Sequence, residues 1–120
     1  MPVQIKRVYE QASADDGYRV LIDRLWPRGV KKNEANIDVW QKELAPSHEL
    51  RIWFQHDPAK WEEFKKRYYA ELGTQAQLVD ELRSRAQNET VTIVFAAKDE
   101  QHSNAQALKE LLEDKEISSK

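Results

Sequence analysis

Apolar residues recur along the chain with two different spacings, which divide it into predicted strands and helices. Val3 and Ile5 alternate with polar neighbours and predict a first strand that extends to Tyr9. The runs Val20 to Leu25 and Val91 to Ala96 are almost continuously apolar, which is typical of strands covered on both faces. We therefore expect these two runs to be adjacent strands in the centre of a sheet.

The connection between the first two predicted strands, residues 10–17, is polar and rich in turn-forming residues. It is shorter than the dozen or so residues that a parallel crossover usually needs. The local pattern therefore favours a hairpin, with an irregular parallel crossover as the alternative.

Five stretches place apolar residues at helical spacing next to capping residues, which predicts five helices. Their apolar faces are Ile37, Trp40 and Leu44; Leu50, Trp53 and Phe54; Trp61, Phe64, Tyr68 and Leu72; Leu78, Val79, Leu82 and Ala86; and Ala105, Leu108, Leu111 and Leu112. The capping signals are Asn33 or Asn36, Ser47, Asp57-Pro58 with Gly73 as the stop, and Thr74 with Gln77. The tail from Ile117 to Lys120 is expected to fray.

The order of these elements predicts an α/β fold, with a small, mainly parallel sheet of about three strands covered by about five helices. A chain of 120 residues is expected to form one layered domain spanning residues 1–120.

Composition excludes several classes of protein. The 19 basic and 21 acidic residues give a net charge of -2 without a long block of one sign, which argues against a dedicated polyanion binder. The absence of cysteine excludes a disulfide framework, a thiolate nucleophile and a cysteine-based zinc site. Because no apolar run approaches the ~20 residues of a membrane span and no signal-peptide core is present, we expect a cytoplasmic protein without membrane association.

Charged and polar residues follow the ends of the two central runs. Arg24 and Arg28 follow the first run, the latter in a Trp-Pro-Arg-Gly turn, and Lys98 and Asn104 follow the second. Ligands of parallel α/β sheets bind beyond the carboxyl ends of the strands. If the two strands are parallel neighbours, Arg24, Arg28, Lys98 and the start of the last helix converge on one spot that suits a phosphate or carboxylate of a small molecule or nucleotide. The Asn104 amide is expected to point toward the sheet, where it either contributes to this site or satisfies a buried backbone group.

Five further residues are expected to support this anion site: Arg7, Tyr9, Asp23, Trp26 and His56. We expect Asp23 and Arg24 each either to have a partner, such as Arg7 for Asp23, or to lie where the strand emerges from the core, because an unpaired charge in a buried strand is costly. Trp26 is expected to plug the core more than to stack on a ligand. His56 could act as a general base only if it faces the basic loop. The spacing of the three histidines matches no metal-binding pattern, so neither a metal nor a cofactor is predicted.

Two other functions stay open. The basic loop from Arg24 to Lys32 would serve a nucleic-acid-associated protein, whose binding would depend steeply on salt. An interaction module without chemistry would show an exposed aromatic patch formed by Trp40, Trp53 or Tyr69. The sequence identifies no particular reaction and no oligomeric state.

Three segments also carry a family resemblance: RVYEQASADDGYRVLIDRLWPRG at Arg7 to Gly29, LAPSHELRIWFQHDPAKWEEFKKRY at Leu44 to Tyr68, and VTIVFAAKDEQHSNAQAL at Val91 to Leu108. The motifs DRLWPRG, HDP and AAKD are specific in combination, and the chain resembles the bacterial YeaO-like proteins of domain of unknown function 488 over nearly its whole length. The resemblance implies a charged pair, Asp23-Arg24, at a strand end and a parallel arrangement of the two buried strands. It implies no established activity. Longer members carry a cysteine-rich motif where this chain has His102 to Asn104, so no thiol or metal role is carried over.

Overall fold

The computed structural model describes residues 3–113 and contains a parallel sheet packed against helices. The strands are β1 (Val3–Arg7), β2 (Tyr18–Leu21), β3 (Val39–Trp40) and β4 (Val91–Phe95). The helices are α1 (Lys32–Ala35), α2 (His48–Phe54), α3 (Trp61–Leu72), α4 (Ala76–Ala86) and α5 (Asn104–Glu113). Four 3-10 turns lie at Ala14–Asp16, Lys42–Leu44, Pro58–Lys60 and Gly73–Gln75. This confirms the predicted α/β class, with four strands in the described range where about three were expected.

The strands follow the order β1-β4-β2-β3, and each neighbouring pair is parallel. The prediction that β2 and β4 are adjacent central strands is confirmed, since Val20 is the register partner of Ile93. The hairpin between β1 and β2 is wrong, because the fully buried β4 lies between them. Residues 8–17 instead form a compact crossover, whose 3-10 turn is capped by the Ser13 side chain.

The larger of two hydrophobic cores lies on one face of the sheet. It joins the inward residues of the strands to the apolar faces of α2, α3, α4 and α5. Its centre is a row of aromatic rings in which Phe54 and Phe64 stack at 4.1 Å between centroids and Phe64 and Tyr68 at 5.6 Å. The buried Tyr68 hydroxyl donates a hydrogen bond to the carbonyl oxygen of Leu44, so the row is fixed by polar as well as apolar contacts.

The opposite face carries a smaller core. Val8, Leu21 and Val94 are buried there under a thin layer made of Trp40 from β3 and four residues outside helices and strands: Trp26, Val30, Ile37 and Ala96. Both faces of the central strands are therefore covered, as the apolar runs predicted. Leu25 is an exception, because β2 ends at Leu21 and the Leu25 side chain is 72% exposed.

The first predicted helix is wrong. The helix α1 lies earlier and ends at Asn36, whose φ of 53° is left-handed, a conformation that asparagine adopts more readily than most residues. Beyond it the chain is extended, and Val39 and Trp40 pair with β2. Ile37 and Trp40 pack on the smaller core, so their helix-like spacing reflects burial in an extended segment.

The predicted cap of α2 is confirmed, because the Ser47 hydroxyl accepts from the Leu50 amide at 3.1 Å. Asp57 also acts as a cap, but of the 3-10 turn Pro58–Lys60 that leads into α3: its carboxylate accepts from the Ala59 amide at 3.0 Å.

The stop predicted at Gly73 is confirmed, because α3 ends at Leu72 with Gly73 as its C-cap, although the Gly73 φ of -57° is right-handed. The capping box predicted from Thr74 and Gln77 is wrong, because the Thr74 hydroxyl donates to the Glu71 carbonyl and no side chain caps α4. The chain therefore passes from α3 to α4 through a 3-10 turn. The predicted frayed tail lies outside the described residues, and no described helix combines the length and apolar character needed to cross a bilayer.

A buried ion pair connects the strands at the start of β2. Asp16 is 1% exposed and Arg19 4%, and their side chains meet at 2.6 Å. The Asp16 carboxylate also accepts from the Lys6 ammonium at 2.8 Å and from the Ser13 amide at 3.0 Å. Burial by itself would raise the pKa of Asp16, but these hydrogen bonds outweigh it and hold the pKa below its ordinary value.

We expect Asp16→Ala to lower the free energy of unfolding by about 3 to 5 kcal/mol, since Arg19 would remain as an uncompensated buried charge. Urea denaturation measures this. The neighbouring exposed Asp15 provides the control, and Asp15→Ala should change stability by less than about 0.5 kcal/mol. Equal effects of the two variants would contradict the structural role of the buried pair.

Candidate anion-binding cleft

A cleft of about 680 Å³ opens beyond the carboxyl ends of β2 and β4. Its base contains Asp23, Ala96, Ala97 and Asn104, which follow the two strands or begin α5. The loop at residues 24–28 lines one side, and α2 with the residues that flank it lines the other. Its volume falls in the range of about 300–1,000 Å³ that is usual for small-molecule sites.

Two hydrogen bonds to backbone carbonyls hold the loop side of the cleft. The Arg24 guanidinium donates to the Pro46 carbonyl at 3.0 Å, and the Tyr9 hydroxyl donates to the Arg28 carbonyl at 3.1 Å. Gly29 permits the turn that follows, with a φ of 80°. The Arg28 side chain is exposed and forms no ion pair with the described residues, so the loop is fixed while this guanidinium is available.

Trp26 contributes to both the cleft and the smaller core. Its indole nitrogen donates to the Val30 carbonyl at 2.7 Å, and its ring meets Trp40 edge-to-face at 5.4 Å. The expected core plug is therefore present, and the residue also lines the cleft.

The side formed by α2 was missed by sequence reasoning. His48, Arg51, Ile52 and Gln55 all line the cleft, and their spacing of three, four and seven residues defines one helical stripe. The stripe lies apart from the inward residues Leu50 and Phe54. Ile52 was the available signal, since it is a large apolar residue off the inward face and is 54% exposed.

The end of α2 has an unusual backbone. Gln55 and His56 have consecutive left-handed φ angles of 48° and 56°, although neither is glycine. Both residues line the cleft. The His56 Nδ1 lies 3.2 Å from the His102 carbonyl oxygen; because a carbonyl can only accept, Nδ1 carries the proton. This contact ties the end of α2 to the segment before α5.

Asp23 is the one carboxylate in the lining of the cleft. Its carboxylate accepts from the backbone amide of Ala96 at 2.9 Å and from the side-chain amide of Asn104 at 3.5 Å. Its backbone carbonyl accepts from the Trp40 indole nitrogen at 2.7 Å. Burial raises the pKa of Asp23, while the two hydrogen bonds and the charge of Arg51 oppose the shift. The base of the cleft therefore carries a carboxyl group that burial biases toward its neutral form.

The structure brings six of the predicted site residues together and leaves three outside the lining. Those in the lining are Asp23, Arg24, Trp26, Arg28, His56 and Asn104. Lys98 is exposed and does not line the cleft, while Arg7 and Tyr9 support it from behind.

The ion pair predicted between Arg7 and Asp23 is wrong, because Arg7 donates instead to the carbonyls of Ala96 and Ala97 at 3.2 and 2.9 Å. Arg24 lies beyond the end of β2, where it is exposed and donates to the Pro46 carbonyl, so it follows the second of the two alternatives and pairs with no buried carboxylate of residues 3–113. Both arginines satisfy backbone oxygens at the ends of elements because the strand ends before either charge would be buried.

Fold and cleft together define a small parallel α/β protein with a basic cleft at its strand ends. A family model described as "Inactive DUF488-N3 subclade" matches residues 2–120, and the chain belongs to this family.

Relatives in two groups of bacteria share most of the chain. The uncharacterized protein YeaO of Escherichia coli strain K12 is 40% identical over 112 residues, which cover 93% of this chain and 97% of YeaO. The uncharacterized protein Rv3073c of Mycobacterium tuberculosis strain H37Rv is 44% identical over 110 residues, covering 92% of each chain. No solved structure matches the chain. The YeaO-like resemblance is confirmed.

The raised pKa of Asp23 predicts a pH dependence of stability. Because the folded state favours the protonated carboxyl, the contribution of Asp23 to stability is most favourable below the ordinary aspartate pKa and falls as pH rises through the raised value. Asp23→Asn keeps an acceptor for the Ala96 amide but does not titrate. Its stability relative to wild type should therefore increase from pH 4 towards pH 7, measured by urea denaturation.

The comparison isolates Asp23 because the other titrating groups cancel in the difference. Asp15→Asn, at an exposed position, controls for the loss of one negative charge. A stability difference that decreases with pH would contradict the assignment.

Proposed function

We propose that the cleft binds a small organic anion, through a carboxylate or phosphate group, and that the protein acts by binding its ligand without turnover. The ligand is a metabolite-sized molecule, and nucleotides are among the candidates. This proposal concerns the cleft beyond β2 and β4.

The charge of the cleft lining carries the proposal. Arg24, Arg28 and Arg51 all line the cleft and are exposed, and none forms an ion pair with a carboxylate of residues 3–113. Asp23 is the one acidic residue among the lining side chains, and burial raises its pKa. The guanidinium groups of Arg28 and Arg51 are available, and Arg24 uses one of its donors on the Pro46 carbonyl. A concave surface with these three exposed guanidinium groups attracts anions and suits bidentate recognition of carboxylate or phosphate.

The family description supports binding without turnover. The matching model is described as an inactive subclade, and it matches residues 2–120. The carboxyl group of Asp23 is occupied by two hydrogen bonds, which is consistent with a positioning role at the base of the cleft.

The alternatives have less support. Of the four basic residues in the loop from Arg24 to Lys32, the two arginines line the cleft, and only Lys31 and Lys32 remain for an outer nucleic-acid surface. The aromatic patch proposed for an interaction module is not exposed: Trp40, Trp53 and Tyr69 are each partly buried.

Removing an arginine from the lining should weaken anion binding without unfolding the protein. We expect Arg28→Ala and Arg51→Ala each to reduce the affinity for inorganic phosphate or a nucleoside monophosphate by about tenfold, the loss of one charge-assisted hydrogen bond. Isothermal titration calorimetry at fixed ionic strength measures this. Thermal melts should show Arg28→Ala within about 0.5 kcal/mol of wild type.

Lys31→Ala is the matched control, because Lys31 is an exposed cation of the same loop that does not line the cleft. It should change affinity less than about twofold at moderate salt. Equal losses in Lys31→Ala and Arg28→Ala would indicate diffuse attraction to a basic surface and would reject the cleft as the site.

A further inference from the structure

We propose that the cleft selects amphipathic anions, in which the carboxylate or phosphate is joined to an aryl or alkyl group. This inference rests on the proposed function and names the class of ligand within it. Polar phosphates, such as inorganic phosphate and polyhydroxylated phosphate esters, would bind more weakly.

Exposed apolar side chains concentrate at the cleft. Among residues 3–113, three large hydrophobic side chains are exposed: Tyr9, Leu25 and Ile52. Leu25 and Ile52, at 72% and 54% exposure, both line the cleft, one from the loop side and one from α2. Exposed apolar residues scattered singly need no explanation, but two that share one concave surface indicate an apolar ligand group.

The inner lining is apolar as well. Phe54 and Phe64 stack on each other and are almost fully buried, yet both line the cleft, together with Pro27, Pro46 and Ala45. A bare phosphate would leave the exposed Leu25 and Ile52 side chains in contact with water, because it fills only a small part of a cleft of about 680 Å³. An aryl or alkyl group would cover these side chains and gain the free energy of removing apolar surface from water.

Polar groups in the cleft are partly engaged already. The Asp23 carboxylate accepts from the Ala96 and Asn104 amides, and His56 is bonded to the His102 carbonyl. The arginines at the sides are exposed and not used in ion pairs with described carboxylates. The charges and the apolar lining thus match the two parts of an amphipathic anion.

The test compares ligands that share one anionic group. By calorimetry at constant pH and ionic strength, phenyl phosphate should bind at least about tenfold more tightly than inorganic phosphate or glycerol 3-phosphate, as expected when an apolar group enters an apolar site. The second arm of the test compares the affinities of two carboxylates, phenylacetate and acetate, under the same conditions. A tenfold preference in either arm supports the proposal and identifies which anionic group the cleft takes.

Variants assign the preference to the two exposed side chains. Leu25→Ser/Ile52→Ser should reduce the affinity for the aryl ligand by about tenfold and leave the affinity for the corresponding simple anion unchanged. Both positions are exposed, so the fold should be retained, and the conservative double variant Leu25→Met/Ile52→Leu should keep the preference.

The outcomes separate this inference from the proposed function. If the simple, polar and aryl anions bind equally and Arg28→Ala weakens them all, the cleft binds anions but the amphipathic ligand is rejected. If glycerol 3-phosphate binds most tightly, the inference is likewise rejected. If no anion of either arm binds to the wild-type protein, the proposed function fails and the inference fails with it.

Discussion

The buried carboxylate of Asp16 is the constraint on which the sheet depends. Its side chain accepts from Lys6 of β1 and from Arg19 of β2, and its carbonyl accepts from Thr92 of β4 at 2.6 Å. Arg19 extends the network by donating to the carbonyls of Ala35 and Asn36 at the end of α1. Because a buried charge must be paired, the network formed by Asp16 and Arg19 requires three strands and a helix end to meet in a single arrangement.

That arrangement also determines where the cleft forms. Parallel strands deliver their carboxyl ends to the same edge, and the segments after β1, β2 and β4 meet there. Arg7 at the end of β1 bonds to the carbonyls that follow β4, while Tyr9 bonds to the loop that follows β2. The charged residues of the cleft can remain exposed because the backbone beneath them is satisfied by side chains from the neighbouring strand.

The sequence predicted the parts of the fold that depend on local pattern. The continuously apolar runs identified the two central strands, and Ser47 and Asp57 identified two helix starts, because burial and capping leave their signal at fixed spacing. Asn36 and Ile37 led to a wrong prediction of a helix after Asn36. Asn36 ends a helix in a left-handed conformation where an N-cap was predicted, and Ile37 belongs to a buried extended segment whose apolar spacing resembles that of a helix. The pairing of β1 with β4 has no local signal because their partners lie 88 residues apart, as with Val3 and Val91.

The candidate site was predicted from one side only. Arg24, Arg28 and Asn104 follow strands directly, so their convergence followed from the parallel arrangement of β2 and β4. The contribution of α2 could not be derived in the same way, since which face of a helix turns towards a cleft depends on how the helix packs. Ile52 alone carried a hint, as an apolar residue on the polar side of its helix.

The insertion of β4 between β1 and β2 has a consequence for synthesis of the protein. The last strand made is the one that joins the first two, so the inner edges of β1 and β2 stay unpaired until residues 91–95 have left the ribosome. At about 5–20 residues per second, that interval lasts about 4–15 s after β2 has been translated. During this interval the nascent chain presents strand edges whose unpaired N–H and C=O groups can pair with a chaperone or another nascent chain, so slower translation lengthens its exposure to misassociation.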